Sequence, residues 1–238
     1  MAVIDDIKEQ TAKMKDMTNK EKFDYIWDYY KWWILGTICG ILCIISIASS
    51  VIKNSRPTYL NVAFINSLMC GDESQATLQD DFVNYADVDM KKNQMTFDYG
   101  MVITDDATNQ SSYTNQIRLM AEYAGGTIDI VCGPESAIAG TADIGSYGNL
   151  EELLPAGMLD KLEAKGYEPF YYTEVIDEES NTTETYIGGI YVDNSRILNE
   201  QKPAGVFANL PEDRPILTIS VSTKNVDHAV EFIEFITQ

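Results

Sequence analysis

Residues 32–52 read WWILGTICGILCIISIASSVI, a stretch without a charged residue. At about 1.5 Å per residue this stretch is roughly 31 Å long as a helix, which matches the hydrocarbon core of a bilayer. It therefore predicts one transmembrane helix that contacts the lipid bilayer. The helix separates a head at residues 1–31 from a linker at residues 53–57 and a large domain at residues 58–238.

The flanking residues indicate the direction of the helix in the membrane. Nearby lysines are more numerous on the N-terminal side: Lys13, Lys15, Lys20, Lys22 and Lys31 precede the stretch, and Lys53 and Arg56 follow it. Positive charge is usually heavier on the cytoplasmic side, and aromatic residues, which crowd the N-terminal end here, favour the headgroup layer. We therefore predict a single-pass cell-membrane protein with a cytoplasmic N-terminus and an extracellular C-terminal domain.

The head carries a signal for a helix start. Thr18 followed by Glu21 is a capping-box pattern. Four apolar or aromatic residues then follow at the spacing of one helical face: Phe23, Ile26, Trp27 and Tyr30. We predict an amphipathic helix at the inner membrane surface that continues into the transmembrane helix.

A cleaved signal peptide is the alternative interpretation of the same stretch. Ser46, Ile47 and Ala48 resemble a small-x-small cleavage site near Ala48. Against cleavage, the head is long and holds seven acidic residues, and Val51 and Ile52 prolong the apolar run. Cleavage remains open at this point.

The charge of the domain limits its partners. The 238-residue chain has a net charge of -20, and residues 53–238 hold eleven basic against thirty acidic residues, a net charge of -19. Such a surface repels nucleic acid and anionic lipid. We therefore expect no nucleic-acid partner and a domain that is soluble outside the membrane.

Histidine and cysteine are scarce, which argues against several kinds of catalytic site. His228 is the single histidine, so zinc sites and Ser-His-Asp triads are nearly excluded. Neither an EF-hand spacing nor a nucleotide-binding glycine pattern occurs. We predict no enzyme activity, no catalytic residues, no metal site and no cofactor. Cys70 and Cys132 are the only cysteines of the domain, and whether they form a disulfide stays open.

The apolar pattern of the domain predicts alternating strands and helices. Strands are expected at residues 59–65, 95–104 and 127–132, a hairpin at residues 170–176 and 186–192, and a last strand at residues 216–221. Helices are expected at residues 74–85, 113–124 and 226–236, and the second of these aligns Ile117, Met120, Ala121 and Ala124 on one face. The fold class is therefore α/β. One transmembrane helix precedes a single lobe with a mixed, mainly parallel sheet flanked by helices.

The carboxyl ends of the first three strands predict the ligand site. In open α/β sheets ligands bind at these ends, near a switch in strand order. The candidate residues, which we call the strand-end residues, are Asn66, Ser67, Thr104, Asp105, Gly133 and Glu135.

Three segments resemble bacterial extracellular solute-binding proteins of the periplasmic-binding-protein type 2 class. They are TIDIVCGPESA at residues 127–137, GNLEELLP at residues 148–155, and ILTISV at residues 216–221 followed by DHAVEFI at residues 227–233. The sequence YYKWW at residues 29–33 is similar to the inner boundary of small single-span proteins of Gram-positive anaerobes. The resemblance implies a membrane-anchored, single-lobe variant of the solute-binding fold.

The resemblance also limits the function. Family members enclose a solute between two lobes, and this domain is about one lobe long. We therefore predict a non-enzymatic binding or assembly subunit of a membrane complex, with a membrane or extracytoplasmic protein partner or self-association. Gly36 and Gly40 give the transmembrane helix a small-x-x-x-small pair that permits close helix packing. A true small-ligand receptor that feeds a transporter is the alternative, and an enzyme is a minor one.

Overall fold

The computed structural model divides into two compact units, Met1–Arg56 and Pro57–Gln238. The structure describes residues 18–69, 72–104, 106, 109–139, 147–177, 182–201, 205–208 and 210–238. Asp105 and Cys70 lie outside the described residues, as does the head before residue 18.

Among its described residues, the first unit contains one long helix, α1 (Asn19–Asn54). Thr18 caps it as the sequence predicts, since its backbone N–H donates to Glu21 Oε2 at 2.8 Å and its hydroxyl accepts from the Glu21 N–H. Lys31–Ile52 is long and apolar enough to cross a membrane, and none of its apolar window is buried. A helix with this length and composition is equally typical of a transmembrane anchor and of a signal sequence.

The second unit is a mixed α/β domain. Its strands are β1 (Thr58–Phe64), β2 (Gln94–Asp98), β3 (Ile130–Pro134), β4 (Pro169–Asp177), β5 (Thr182–Tyr191) and β6 (Pro215–Ile219). Its helices are α2 (Asp72–Tyr85), α3 (Gln110–Gly125), α4 (Glu135–Ala139), α5 (Leu150–Leu153), α6 (Met158–Ala164), α7 (Arg196–Asn199) and α8 (Val226–Ile236). The predicted hairpin is confirmed as β4 and β5.

The six strands form one sheet in the order β2-β1-β3-β6-β5-β4. β1 runs parallel to β2 and to β3, whereas β6 is antiparallel to both β3 and β5, and β4 is antiparallel to β5. The prediction of a mainly parallel sheet is therefore wrong, because only one half of the sheet is parallel. The prediction failed at β6. All five residues of this strand are buried between two antiparallel neighbours, as they would be in a parallel sheet.

Each face of the sheet carries its own apolar layer. On one face, side chains such as Phe64 and Phe97 pack with Phe82 of α2 and Phe232 of α8. On the opposite face, Ala63, Ile65 and Val131 pack with Leu119 and Tyr123 of α3. The sheet is thus buried between two layers, which is the arrangement that its nearly continuous apolar strands require.

Helix α3 is fixed at both ends by its sequence. The Asn109 side chain accepts from the N–H groups of Ser111 and Ser112 at 3.1 Å, and Gly126 closes the helix in the left-handed conformation with φ 58°. The aligned face predicted from its apolar residues exists, but it lies at the surface. The residues buried against the sheet are Ser112, Leu119 and Tyr123.

Candidate functional site

The strand-end residues that the structure describes lie at or after the C-terminal ends of β1, β2 and β3, and the Asn66 side chain joins the segments that follow β1 and β2. Its Nδ2 donates to the Ile103 carbonyl at 2.8 Å, and its Oδ1 accepts from the Ile103 N–H at 2.9 Å. Its backbone N–H donates to the Met101 carbonyl at 2.9 Å. The amide therefore replaces a missing strand pairing between the segment after β1 and the segment after β2.

Ser67 and Thr104 are also engaged in local structure. The Ser67 hydroxyl donates to the Val206 carbonyl at 3.1 Å and accepts from the Met69 N–H at 3.0 Å. The backbone of Thr104 exchanges two hydrogen bonds with the buried hydroxyl of Ser112, at 2.9 and 3.0 Å. The Ser67 hydroxyl is thus committed to the loop after β1, whereas the exposed Thr104 contributes mainly its backbone.

Gly133 and Glu135 lie at the end of β3 with different surroundings. A Cβ atom on Gly133 would lie 2.9 Å from the Ile65 Cβ and 3.1 Å from the Ile65 carbonyl oxygen, so the two chains approach more closely than a side chain permits. Glu135 begins α4 and accepts a hydrogen bond from the Tyr191 hydroxyl at 2.9 Å. The structure therefore brings Asn66, Gly133 and the segment before Thr104 together through β1, and it places Glu135 against β5.

An arginine that sequence reasoning missed organises the surroundings of Glu135. Arg214 donates to both carboxylate oxygens of Asp193 at 2.9 and 3.1 Å and to Glu168 at 2.8 Å. Its guanidinium lies over the Tyr191 ring, 4.2 Å from the centroid. The available sequence signal was a single basic residue directly before the apolar run of β6. The network connects the residue before β6 to the segments beside β4 and β5. Its basic and acidic side chains are bonded to one another.

A buried carboxylate at the opposite ends of the parallel strands also has a structural role. Asp129 precedes β3 and is 2% exposed. It accepts from the Asn61 N–H at 2.7 Å, from the Thr223 hydroxyl, and from the Asn225 side-chain amide at 3.1 and 3.3 Å. Such a carboxylate satisfies donors from β1 and from the turn before α8, and thereby holds these segments in register.

The larger clefts of the domain lie away from the strand-end residues. One cleft of about 280 Å³ lies between α6, the end of α8 and Tyr85, and Lys161 and Lys165 contribute to its lining. Another, of about 380 Å³, lies beside Asp129 and includes Lys224. Neither is lined by a strand-end residue that the structure describes. Neither of these two clefts therefore encloses the predicted ligand position.

Cys132 is a buried free thiol, and burial raises its pKa well above the usual value. Cys70 lies outside the described residues. Within the described part of the chain, no group of three or more His, Cys, Asp or Glu side chains is arranged to hold a metal ion.

The described residues define a mixed α/β domain and an apolar N-terminal helix. Comparison with known proteins gives no match: no protein-family model fits the chain, and no curated protein or solved structure is significantly similar to it. The resemblance to solute-binding proteins therefore stays a prediction from the sequence.

Proposed function

We propose that this chain is a membrane-tethered, non-enzymatic assembly subunit whose domain, of solute-binding type, binds a protein partner outside the cell membrane. One observation carries the proposal. Helix α3 exposes large apolar side chains along one flank, with Tyr113, Ile117 and Met120 exposed by 61%, 49% and 41%. We call these three side chains the α3 flank. Contiguous apolar surface of this kind is typical of protein contact sites.

The charge distribution favours a different protein over a second copy at the α3 flank. The charged residues within α3 are Arg118 and Glu122, which pair at 2.8 Å, and Arg118 also pairs with Asp98. The helix is therefore nearly neutral, whereas the residues from 53 onward carry a net charge of -19. A second copy would bring another strongly acidic domain into proximity, and a neutral or basic partner would avoid that repulsion.

The strand-end residues support a protein ligand over a small solute. The side chains of Asn66 and Ser67 already form hydrogen bonds within the domain, so a solute would have to compete with these partners. A domain of a single lobe, as the sequence predicts, also leaves much of a small ligand in water, which lowers the binding energy available per atom. A protein can supply the contact area that a second lobe would have given.

The alternative function, a receptor for a small solute that feeds a transporter, would use the cleft beside Tyr85 instead. Its volume of about 280 Å³ is close to that of ordinary ligand pockets. Lys165 is held there by donating to the Thr237 carbonyl at 2.7 Å, and Lys161 lies one helical turn before it. Glu234 also lines the cleft, so the lining keeps one net positive charge, and a small acid with an apolar body has the matching chemistry. A thermal-shift screen of the full chain with carboxylates, sugars, amino acids and peptides separates this function from the proposed one.

Membrane topology is part of the proposal: α1 stays attached as an anchor, with its N-terminus in the cytoplasm. The lysines before the span and the aromatic residues at its N-terminal end support this direction. External protease on intact spheroplasts is expected to remove the domain and to spare the head. A domain released into the medium with a new N-terminus near Ser49 would instead identify a cleaved signal peptide.

The proposed partner contact is tested by a single charge placed on the α3 flank. Ile117→Glu adds a carboxylate at the centre of the flank, and Ser111→Glu adds the same charge elsewhere on the exposed surface of α3. Both full-length variants are crosslinked in native membranes and purified in detergent. Loss of a specific crosslinked protein only in Ile117→Glu supports the proposal. Equal capture by both variants, or crosslinks exclusively between copies of this chain, would contradict it.

A further inference from the structure

The sheet ends in an edge strand that the described residues leave uncovered. β4 is the last strand in the sheet order and pairs only with β5. Alternate residues of an edge strand direct their N–H and C=O groups outward, where another strand can bind them. Tyr171 is 60% exposed and Thr173 is exposed, so the face of the hairpin that carries these two side chains is open to solvent.

The hairpin that forms this edge carries an unfavourable charge arrangement. Glu174 of β4 lies directly opposite Glu184 of β5. Like charges at directly opposed positions destabilise an antiparallel pair. Residues 166–195 contain no Lys or Arg, so no basic side chain within the hairpin can compensate these two carboxylates.

The charge of the hairpin selects among the possible occupants of the edge. A second copy would place its own Glu174 and Glu184 beside the same two carboxylates, which opposes pairing of two β4 strands. A cationic side chain in the added strand would relieve the repulsion. Acidic side chains on an edge are therefore compatible with strand addition by a basic segment and discourage self-association.

We propose that the β4 edge binds an extended, Lys- or Arg-bearing segment of a partner protein by strand addition, with a cationic side chain beside Glu174 and Glu184. This inference rests on the proposed assembly function in one respect, namely that a protein partner exists. The β4 edge is a different surface from the α3 flank.

The alternation of β4 defines what the added strand should contain. Phe170, Tyr172 and Tyr186 pack on the apolar layer shared with α3. The Tyr186 hydroxyl also donates a hydrogen bond to Glu174 at 3.4 Å. Tyr171 and Thr173 point to the other face. An added strand would lie about 4.8 Å from β4 and continue both faces. The segment should therefore offer apolar side chains beside Phe170 and Tyr172 and a basic one beside Glu174.

The experiment uses the full chain in nanodiscs and three labelled synthetic peptides. The first, called the Val-Lys peptide, has eight residues with Val at the positions beside Phe170 and Tyr172, Lys at the position beside Glu174 and Thr elsewhere. The second replaces this Lys with Glu, and the third is the first peptide with N-methyl groups at alternate backbone amides. We expect binding of the first peptide that weakens with added salt, and slower amide exchange in residues 170–174. The other two peptides should not bind, because they lack the charge or the backbone donors.

A matched pair of double variants tests the role of the two carboxylates. Glu174→Gln with Glu184→Gln should weaken binding of the Val-Lys peptide about five-fold, from the loss of two exposed charge pairs. Glu163→Gln with Glu200→Gln makes the same change of net charge at exposed positions outside the hairpin, and should bind the peptide like the parent protein.

Three results would overturn the inference: no binding of the Val-Lys peptide, equal binding of the N-methylated peptide, or equal weakening by both double variants. These outcomes are separate from those of the proposed function. If Ile117→Glu abolishes partner capture while the Val-Lys peptide fails to bind, the assembly function stands and the β4 edge is not a basic-segment site.

Discussion

The side-chain amide of Asn66 forms two hydrogen bonds with the backbone of Ile103, thirty-seven residues further along the chain. The backbone of Asn66 is in the left-handed conformation with φ 55°, which Asn tolerates better than most residues. A residue that looks like a ligand contact at the end of a strand thus joins the segments that follow β1 and β2.

Replacement of this asparagine should therefore destabilise the domain. Asn66→Ala removes both hydrogen bonds and places alanine at a positive φ, so we expect a loss of about 2–3 kcal/mol in the free energy of unfolding. Asn93→Ala is the control, because Asn93 makes one long side-chain hydrogen bond of 3.3 Å near the surface. Chemical unfolding of the full chain in detergent measures both. A loss below about 0.5 kcal/mol for Asn66→Ala would refute this structural role.

Gly133 should not accept even one methyl group. Its added Cβ would meet the Cβ and the carbonyl oxygen of Ile65, which directly follows β1, and atoms on or next to the main chain cannot easily move aside. We expect Gly133→Ala to reduce the free energy of unfolding by about 1–3 kcal/mol. In Gly125→Ala the nearest atom is the Thr127 Cγ2 at 3.6 Å, an ordinary contact. Equal thermal midpoints for the two variants would show that β1 and β3 are less tightly packed than described.

Asp129 should be essential for stability rather than for binding. Asp129→Ala leaves the N–H of Asn61 and the polar groups of Thr223 and Asn225 without their shared acceptor. Unsatisfied buried donors are costly, and we expect a loss of about 3 kcal/mol or more. Asp80→Ala, at an exposed position of α2, should change stability by less than about 0.5 kcal/mol. Circular dichroism at increasing denaturant distinguishes these outcomes.

The domain should lose stability in alkali through its partly buried tyrosines. Burial, with a further contribution from the hydrogen bond to Glu135, raises the pKa of Tyr191 to about 12. The unfolded chain releases this proton near pH 10, so ionisation favours the unfolded state as pH rises from about 10 to 12, and the contribution is fully present below that range.

The Tyr191→Phe variant tests this pH dependence. Phenylalanine cannot ionise, so the free energy of unfolding should fall less steeply above pH 10 than in the parent chain, even though the variant loses one hydrogen bond at neutral pH. Identical slopes for Tyr191→Phe and the parent would contradict the prediction.

The local patterns of the sequence determined most of the element boundaries. The capping box at Thr18, the apolar window of α1, the hairpin of β4 and β5, and the Gly126 end of α3 all depend on residues close together in the chain. Residues 99–104 continue the alternating pattern of β2 but leave the sheet, because their carbonyl groups bond to side chains of Asn66, Ser112 and Asn115 instead.

Tertiary structure alone decided strand direction and the use of the strand-end residues. A buried strand has the same apolar composition whether its neighbours run parallel or antiparallel, so the position of β6 between β3 and β5 left no local signal. Likewise, the Asn66 amide and the Glu135 carboxylate could equally bind a ligand or the protein itself. Their partners, Ile103 and Tyr191, are distant in sequence, and only the folded chain brings them within hydrogen-bond distance.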